Sequence, residues 1–374
     1  MITNVQILYQ FSTVLPYTFS VLNYNPKDVL FFDIETTGLS PKTSQVFLIG
    51  FISFQPDTKE WQLTQFLSEH NCEAEEKQLL KTFSTFVENK SQLIHFNGNS
   101  FDIPYLISRF EKYQLPNPFS NKDSLDLYRE FLRMPAFFKQ MSNHTQKSFE
   151  ELTCYPRKDL LSGKEMIKFY HNYVQTPSKE KELLLLQHNY DDLVGMLSIF
   201  PLFNLKQLPK GQWELTEVEE LKKQETDQSV TKELLFTLML PVPIPAQLSA
   251  AFSFGYITAS KYIVKVKLPL YEGTLKFYYP DYKNYYYLPF EDEAVHKSVA
   301  IYTDAQHRQK ASASTCYKKY NGIFVHAPAS CSLPLLKEDI HAKEYYTFWP
   351  FQNSSPLIQK CYIQEILKTA ITIK

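Results

Sequence analysis

Val29-Leu30-Phe31-Phe32 is an apolar run that ends in an acid, Asp33, and a second run, Val46 to Ile52, follows a polar turn holding Gly38, Ser40 and Pro41. Short apolar runs bounded by turn residues predict strands. Trp61 to Leu67 alternates and predicts a third strand, so an antiparallel meander is expected. Leu79, Leu80, Phe83 and Phe86 then recur at helical spacing behind the acidic turn Glu73 to Glu76, whose charges suit the positive end of a helix dipole. Gln92 to Phe96 reads as a short buried strand stopped by Asn97-Gly98-Asn99, a helix begins near Phe101, and from about Ser124 to Phe203 the pattern is helical with loop breaks. Three strands, a helix, a strand and then helices predict a layered α/β or α+β unit over residues 27–205, preceded by an N-terminal extension, residues 1–26.

The pattern changes after that. Residues 206–233 are rich in charge and poor in core candidates, which predicts a linker or a surface segment. Residues 234–374 read as a β-rich unit: 262–268 and 273–279 look like paired strands joined around Glu272-Gly273, Tyr285 to Leu288 like another, and Ile363 to Ala370 like a closing helix.

Composition narrows the classes. The 39 basic and 40 acidic side chains exclude a global basic field, so any contact with nucleic acid must be local. With 25 Tyr and 29 Phe against 9 Gly, the 374 residues carry the makings of a large core rather than of disorder. Cys72, Cys154, Cys316, Cys331 and Cys361 are scattered, with no zinc-finger spacing, which fits a reducing, cytoplasmic setting. The first 25 residues lack the parts of a secretory signal, and no stretch reaches the ~20 apolar residues of a membrane span. No membrane association is expected, and nothing in the sequence names a protein partner.

Three clusters carry chemistry. On a strand, residues two apart share a face, so Asp33 and Glu35 place two carboxylates side by side at the end of an apolar segment. Such a pair repels by roughly 4 kcal/mol at 4 Å in an effective dielectric of 20 unless a cation sits between them. Taken alone, the pair also fits solvated acids beside a turn. Asp102 follows the loop 97–101 and, alone, fits a first-turn helix acid. His188 and Asp192 stand four apart on a helix and therefore share a face, as a surface ion pair would.

Together, D-x-E-T-T-G-L on the first strand, N-x-x-x-F-D at a strand-to-helix junction and H-x-x-x-D on a late helix resemble the three exonuclease motifs of the ribonuclease H-like DEDD superfamily. Within it the chain looks most like the YprB-type group, with further support from Val46 to Gly50, Asp123 to Arg129 and Leu161 to Glu165. The resemblance covers roughly residues 27–205. It implies a ribonuclease H-like mixed sheet flanked by helices and a 3′–5′ exonuclease acting on a single-stranded 3′ end of DNA or RNA. Asp33, Glu35, Asp102 and Asp192 fall on its carboxylate positions and would hold two divalent ions, Mg²⁺ or Mn²⁺. One ion would activate the attacking water and the other stabilise the leaving 3′-oxygen. His188 would orient or deprotonate that water, although it stands at the four-residue spacing that the tyrosine branch gives to Tyr, while the histidine branch spaces its His by five.

The same resemblance makes the Thr36 backbone N–H a contact for a terminal nucleotide. Asn97 reads as a tie for the loop before Asp102 and as a substrate contact, Phe101 as a core residue or a base-stacking wedge, and Asp126 as a weaker candidate that a helix start also explains. In the β-rich unit, Lys276 to Tyr279 and Tyr282 to Tyr285 interleave cations with aromatics, which suits a single-strand platform or ordinary sheet packing. His296-Lys297 and Arg308-Gln309-Lys310 read as phosphate contacts or solvated surface charge. A non-cleaving nucleic-acid-binding module with the same fold is the alternative function.

Overall fold

The computed structural model describes residues 1–11, 15–159, 161–224, 230–351 and 355–372. The chain divides into two units, one of Met1–Lys206 with Val242–Gln247, the other of Gln207–Pro241 with Leu248–Ile373. Among the described residues no helix is long and apolar enough to cross a membrane.

The first unit is built on a six-stranded sheet in the order β1-β4-β3-β2-β5-β6. Its strands are β1 (Ile2–Ile7), β2 (Val29–Thr36), β3 (Val46–Gln55), β4 (Glu60–Leu67), β5 (Gln92–His95) and β6 (Asp123–Asp126). The meander β2-β3-β4 is antiparallel as expected, β1 pairs antiparallel with β4, and β5 runs parallel to both β2 and β6. The helices are α1 (Leu15–Leu22), α2 (Glu73–Glu88), α3 (Asp102–Lys112), α4 (Leu127–Leu132), α5 (Pro135–Phe138), α6 (Gln146–Leu152), α7 (Gly163–Gln175) and α8 (Lys179–Ile199). Period-2 alternation sends Phe32 and Ile34 of β2 into one cluster with Leu79, Leu80 and Phe83 of α2 and Tyr105 and Leu106 of α3. A separate cluster joins Phe47, Leu48 and Leu67 to Met166 and Tyr170 of α7 and Leu185 of α8. The string Leu161 to Glu165 starts α7 with a capping box, in which Ser162 and Glu165 satisfy each other's backbone N–H groups.

Three expectations about this half of the chain change. The first 26 residues are not a separate extension: β1 extends the sheet, and Phe19 of α1 stacks on Trp61 at 5.3 Å inside the core. Asp123–Asp126 is a strand rather than the start of the helical region, and its polar ends hid it because only Leu125 and Asp126 are buried. The expected linker is structured where it is described. Glu214–Gln224 is a strand, β7, paired antiparallel to β8 (Val230–Phe252), while residues 225–229 lie outside the described residues.

The second unit is β-rich, as expected. A five-stranded sheet runs β14-β13-β9-β8-β7, and a three-stranded one runs β11-β10-β12. Their further strands are β9 (Gly255–Tyr278), β10 (Tyr285–Leu288), β11 (Glu293–His296), β12 (Gln309–Lys310), β13 (Tyr317–Ala327) and β14 (Tyr345–Trp349), with helices α9 (Lys297–Ala300) and α10 (Pro356–Thr372). The hairpin expected at Glu272-Gly273 does not form. Those residues continue β9 without a break and pair with Ile323 and Gly322 of β13. Many aromatics here are used for packing: Tyr279 stacks on Tyr285 at 4.5 Å, Lys297 and Arg308 lie over Tyr286, and the Tyr362 hydroxyl of α10 donates to the His326 carbonyl.

Candidate functional site

β2 positions the first two acids. With Phe32 and Ile34 committed to the core, alternation turns Asp33 and Glu35 to the opposite face, where α8 packs. The parallel pairing of β2 with β5 extends only from Val29 to Phe31. Beyond it, the Ile34 N–H donates to Asp102 Oδ1 at 3.3 Å, which brings the third carboxylate from the first turn of α3 to the same strand end. Pro104 fits that first turn, where no intrahelical N–H is required of it.

Asp33 is held by a buried relay of amides. Asn189 Nδ2 of α8 donates to Asp33 Oδ2 (2.9 Å), Gln65 Nε2 of β4 donates to Asn189 Oδ1 (2.9 Å), and Asn4 Nδ2 of β1 donates to Gln65 Oε1 (2.8 Å). Gln65 and Asn189 are fully buried, so each unmade bond would carry a desolvation cost. The close approach of α8 to the sheet requires Gly50, directly opposite Asp33 on β3. A Cβ there would lie 1.9 Å from Asn189 Oδ1 and 2.5 Å from the Leu193 side chain.

α8 also supplies His188 and Asp192. His188 is 5% exposed, with Nε2 3.3 Å from Glu35 Oε1 and 3.5 Å from Asp192 Oδ2. On its other side Nδ1 lies 2.8 Å from Asp159 Oδ2. Asp191, one residue before Asp192, faces elsewhere: it accepts from the Tyr155 hydroxyl (2.9 Å) and from the backbone N–H groups of Lys158 (2.9 Å) and Asp159 (2.7 Å). It thereby fixes a loop whose Arg157 pairs with Asp192 Oδ1 and with both oxygens of Glu150 at 3.1 Å. Gly195 lets α6 lie close enough to α8 for this, since a Cβ would meet Glu150 Oε1 at 1.9 Å.

The electrostatics follow from crowding. Burial, then repulsion from Asp192, Asp102 and Glu35, raises the Asp33 carboxyl well above the usual range, with the Asn189 bond opposing. Burial, then Asp192, Asp102 and Asp159, does the same to Glu35, with Arg157 opposing. Asp102 is pushed up to about 7, chiefly by burial. A cation placed among these groups would relieve all three.

The loop before Asp102 is organised as the sequence suggests. Asn97 has φ 59°, in the left-handed region that Asn tolerates, and its N–H donates to Asp126 Oδ1 (2.9 Å). Asp126 also accepts from Asn99 N (3.4 Å) and caps α4 through Arg129 N (3.4 Å), so it is employed structurally. Phe101 packs on Tyr105 at 5.4 Å and lines two clefts. One, of 560 Å³, also holds Asn97, Asp102 and Tyr128; the other, of 550 Å³, holds Glu35, Thr36, Leu39 and Lys164. The Thr36 hydroxyl is spent on the Gly38 carbonyl (2.9 Å).

His95, beneath this loop, has one permitted tautomer. Nδ1 accepts from Gly98 N (3.0 Å), and Ser124 gives its proton to Asn99 Oδ1 (2.6 Å), so His95 Nε2 must donate to Ser124 Oγ (2.7 Å). Burial of the ring drops its pKa to about 4, from the ordinary 6.5. Between those values the unfolded chain binds a proton that the folded chain refuses. Stability from His95 is therefore complete above pH 6.5 and is lost as pH falls toward 4, by up to about 3 kcal/mol. His95→Asn should flatten that part of the pH dependence of the denaturation midpoint, and parallel curves for the two proteins would refute the assignment.

Several members of this arrangement were not singled out in the sequence. Asn189 sits inside the H-x-x-x-D motif, an uncharged polar residue on a buried helix face, and Gln65 interrupts an apolar strand. Glu150, Arg157 and Asp159 come from a helix end and a loop with no periodicity to mark them.

Residues 30–204 match the family model RNase_H_2, described as RNase_H superfamily. No curated protein matches the chain. Solved structures similar to it include the family B DNA polymerase from the hyperthermophilic archaeon Pyrobaculum calidifontis, at 13% identity over 93% of this chain and 46% of that one, with TM-score 0.39. Another is an exonuclease I, at 9% identity over 56% of this chain and 54% of that one, with TM-score 0.29. The chain thus spans about half the length of each. The first unit, a mixed sheet flanked by helices, is ribonuclease H-like.

Proposed function

We propose that the first unit is a divalent-metal-dependent nuclease that hydrolyses nucleic-acid phosphodiesters, working 3′ to 5′ from a single-stranded end of DNA or RNA. The observation that carries this reading is the convergence of Asp33, Glu35, Asp102 and Asp192, three of which are raised by burial first and by mutual repulsion second. Clustered carboxylates lacking enough cationic partners fit hard divalent ions, so these four residues would hold Mg²⁺ or Mn²⁺. When bound, such ions supply Lewis acidity to the scissile phosphate and to its attacking and leaving oxygens.

The chain's own residues do the rest. Asn189, fixed through Gln65, keeps Asp33 in one orientation, and the Ile34 N–H does the same for Asp102. Arg157 offsets part of the negative charge at Asp192 while leaving its Oδ2 facing His188. Phe101, lining both clefts, is placed for a base to stack on it, with Asn97 and Thr36 along the path of the strand.

The test is degradation of 5′- and 3′-end-labelled DNA and RNA, single- and double-stranded, with Mg²⁺ or Mn²⁺ and with chelator. Mononucleotide release from the 3′ end that chelator stops is the expected result. Undiminished hydrolysis in chelator would overturn the metal-dependent reading; tight binding of 3′ ends with no turnover under either ion would favour a non-cleaving binding module.

A further inference from the structure

Resting on the nuclease reading above, we propose that His188 is itself a metal ligand, oriented by Asp159. The ion it helps to hold then sits among mixed nitrogen and oxygen donors and is a first-row transition metal ion such as Mn²⁺ rather than Mg²⁺. Among the described residues, Glu35, His188 and Asp192 form the one group of three whose donor atoms all lie within 4.8 Å of one another. The Nε2 separations, 3.3 Å to Glu35 and 3.5 Å to Asp192, are those of converging ligands. Donors about 2.1 Å from a common ion stand about 3.0 Å apart at right angles and about 3.4 Å apart at tetrahedral angles.

The far side of the ring supports the same role. Nδ1 lies 2.8 Å from Asp159 Oδ2, a close charge contact that is not aligned as a hydrogen bond, and neither atom has a hydrogen-bond partner among the described residues. That carboxylate is only 4% exposed and is held in place by the Asp191 contact to its own backbone N–H (2.7 Å) and by Arg157 Nη2 at 3.7 Å. A carboxylate behind one imidazole nitrogen turns the lone pair of the other toward a metal and raises its basicity. A water-orienting role fits less well, because Nε2 already faces two carboxylate oxygens too close to admit a water between them. Imidazole in the donor set favours transition ions, whereas Mg²⁺ prefers oxygen and gives up its waters reluctantly.

The test uses the full chain, stripped of metal, titrated calorimetrically with Mn²⁺, Co²⁺ and Mg²⁺ in the absence of nucleic acid. Mn²⁺ and Co²⁺ should bind at least about tenfold more tightly than Mg²⁺. His188→Gln should lower Mn²⁺ affinity by about 10- to 100-fold and leave Mg²⁺ affinity within about twofold, while Asp159→Asn should cost about tenfold and Asp159→Glu less. Because these variants could misfold, the unmutated protein carrying ¹⁵N-histidine gives an independent readout: electron spin-echo spectra of the Mn²⁺ form should show nitrogen coupling from a bound imidazole. Absence of that coupling, or equal Mn²⁺ affinity in folded His188→Gln and the unmutated chain, would overturn the inference. Hydrolysis with His188-independent metal binding would leave the nuclease reading standing without this one. His188-dependent binding with no hydrolysis of any substrate would do the reverse.

Discussion

Asp33→Asn is expected to reduce metal-dependent hydrolysis by at least about a thousandfold while leaving the fold intact or more stable in the absence of metal. The substitution keeps the shape of the side chain, and its carbonyl can still accept from Asn189 Nδ2. What it removes is a charge that is buried and repelled by Asp192, Asp102 and Glu35. In the metal-free protein that charge is a liability, so the unfolding midpoint should hold or rise. On the proposed reading, the same charge would contribute to holding the ions when metal and substrate are present, and its loss should be felt in turnover. The two readouts should therefore move in opposite directions, as expected where a group is kept for chemistry at the expense of stability. Activity within about tenfold of the unmutated chain would remove Asp33 from the metal-binding role.

Arg109→Met should produce the largest loss of stability. Arg109 and Glu76, each 1% exposed, form a two-pronged pair between α3 and α2, with Nε to Oε1 at 2.7 Å. Glu76 also accepts from Val46 N (2.9 Å) and the Tyr113 hydroxyl (2.6 Å), and Arg109 Nη1 donates to the Pro41 carbonyl (2.6 Å) in the turn after β2. Removing the cation leaves a buried carboxylate without its charge partner, a loss of about 3–5 kcal/mol. In a unit of this size that is a fall in melting temperature of roughly 6–20 °C. Pairing the change with Glu76→Gln should recover more than half of it, because the stranded charge disappears. Calorimetric melts of the single and double variants check both statements, and a single variant as stable as the unmutated chain would show the pair to be idle.

The sequence made the four carboxylates legible because regular elements fix their spacing. Asp33 and Glu35 are two apart on a strand, Asp102 opens a helix, and His188 and Asp192 are one helical turn apart. The structure places each of these on the element expected. What supports them was less visible: Gln65, Asn189 and Gly50 act across strands and helices far apart in sequence, and Arg157 and Asp159 act from a loop. The absence of a turn at Glu272-Gly273 has a simple cause. Gly273 faces Gly322 across the ladder, with the Tyr271 ring 3.0 Å from where its Cβ would be, so a residue that usually marks a turn here admits an aromatic ring.

The amide relay that begins at Asn4 ties the edge strand β1 to the candidate site. Residues 30–204 would look self-sufficient as a family segment. A fragment cut to those limits would nevertheless lose the Asn4 donor to Gln65 and the Phe19 ring stacked on Trp61. Gln65 Oε1 would be left to water, so that only the donor bonds of Nε2 to the Leu186 carbonyl and to Asn189 Oδ1 would hold the side chain, and Asn189 would keep Asp33 in place less firmly. The smallest piece that carries an intact site therefore starts well upstream of its first acidic motif.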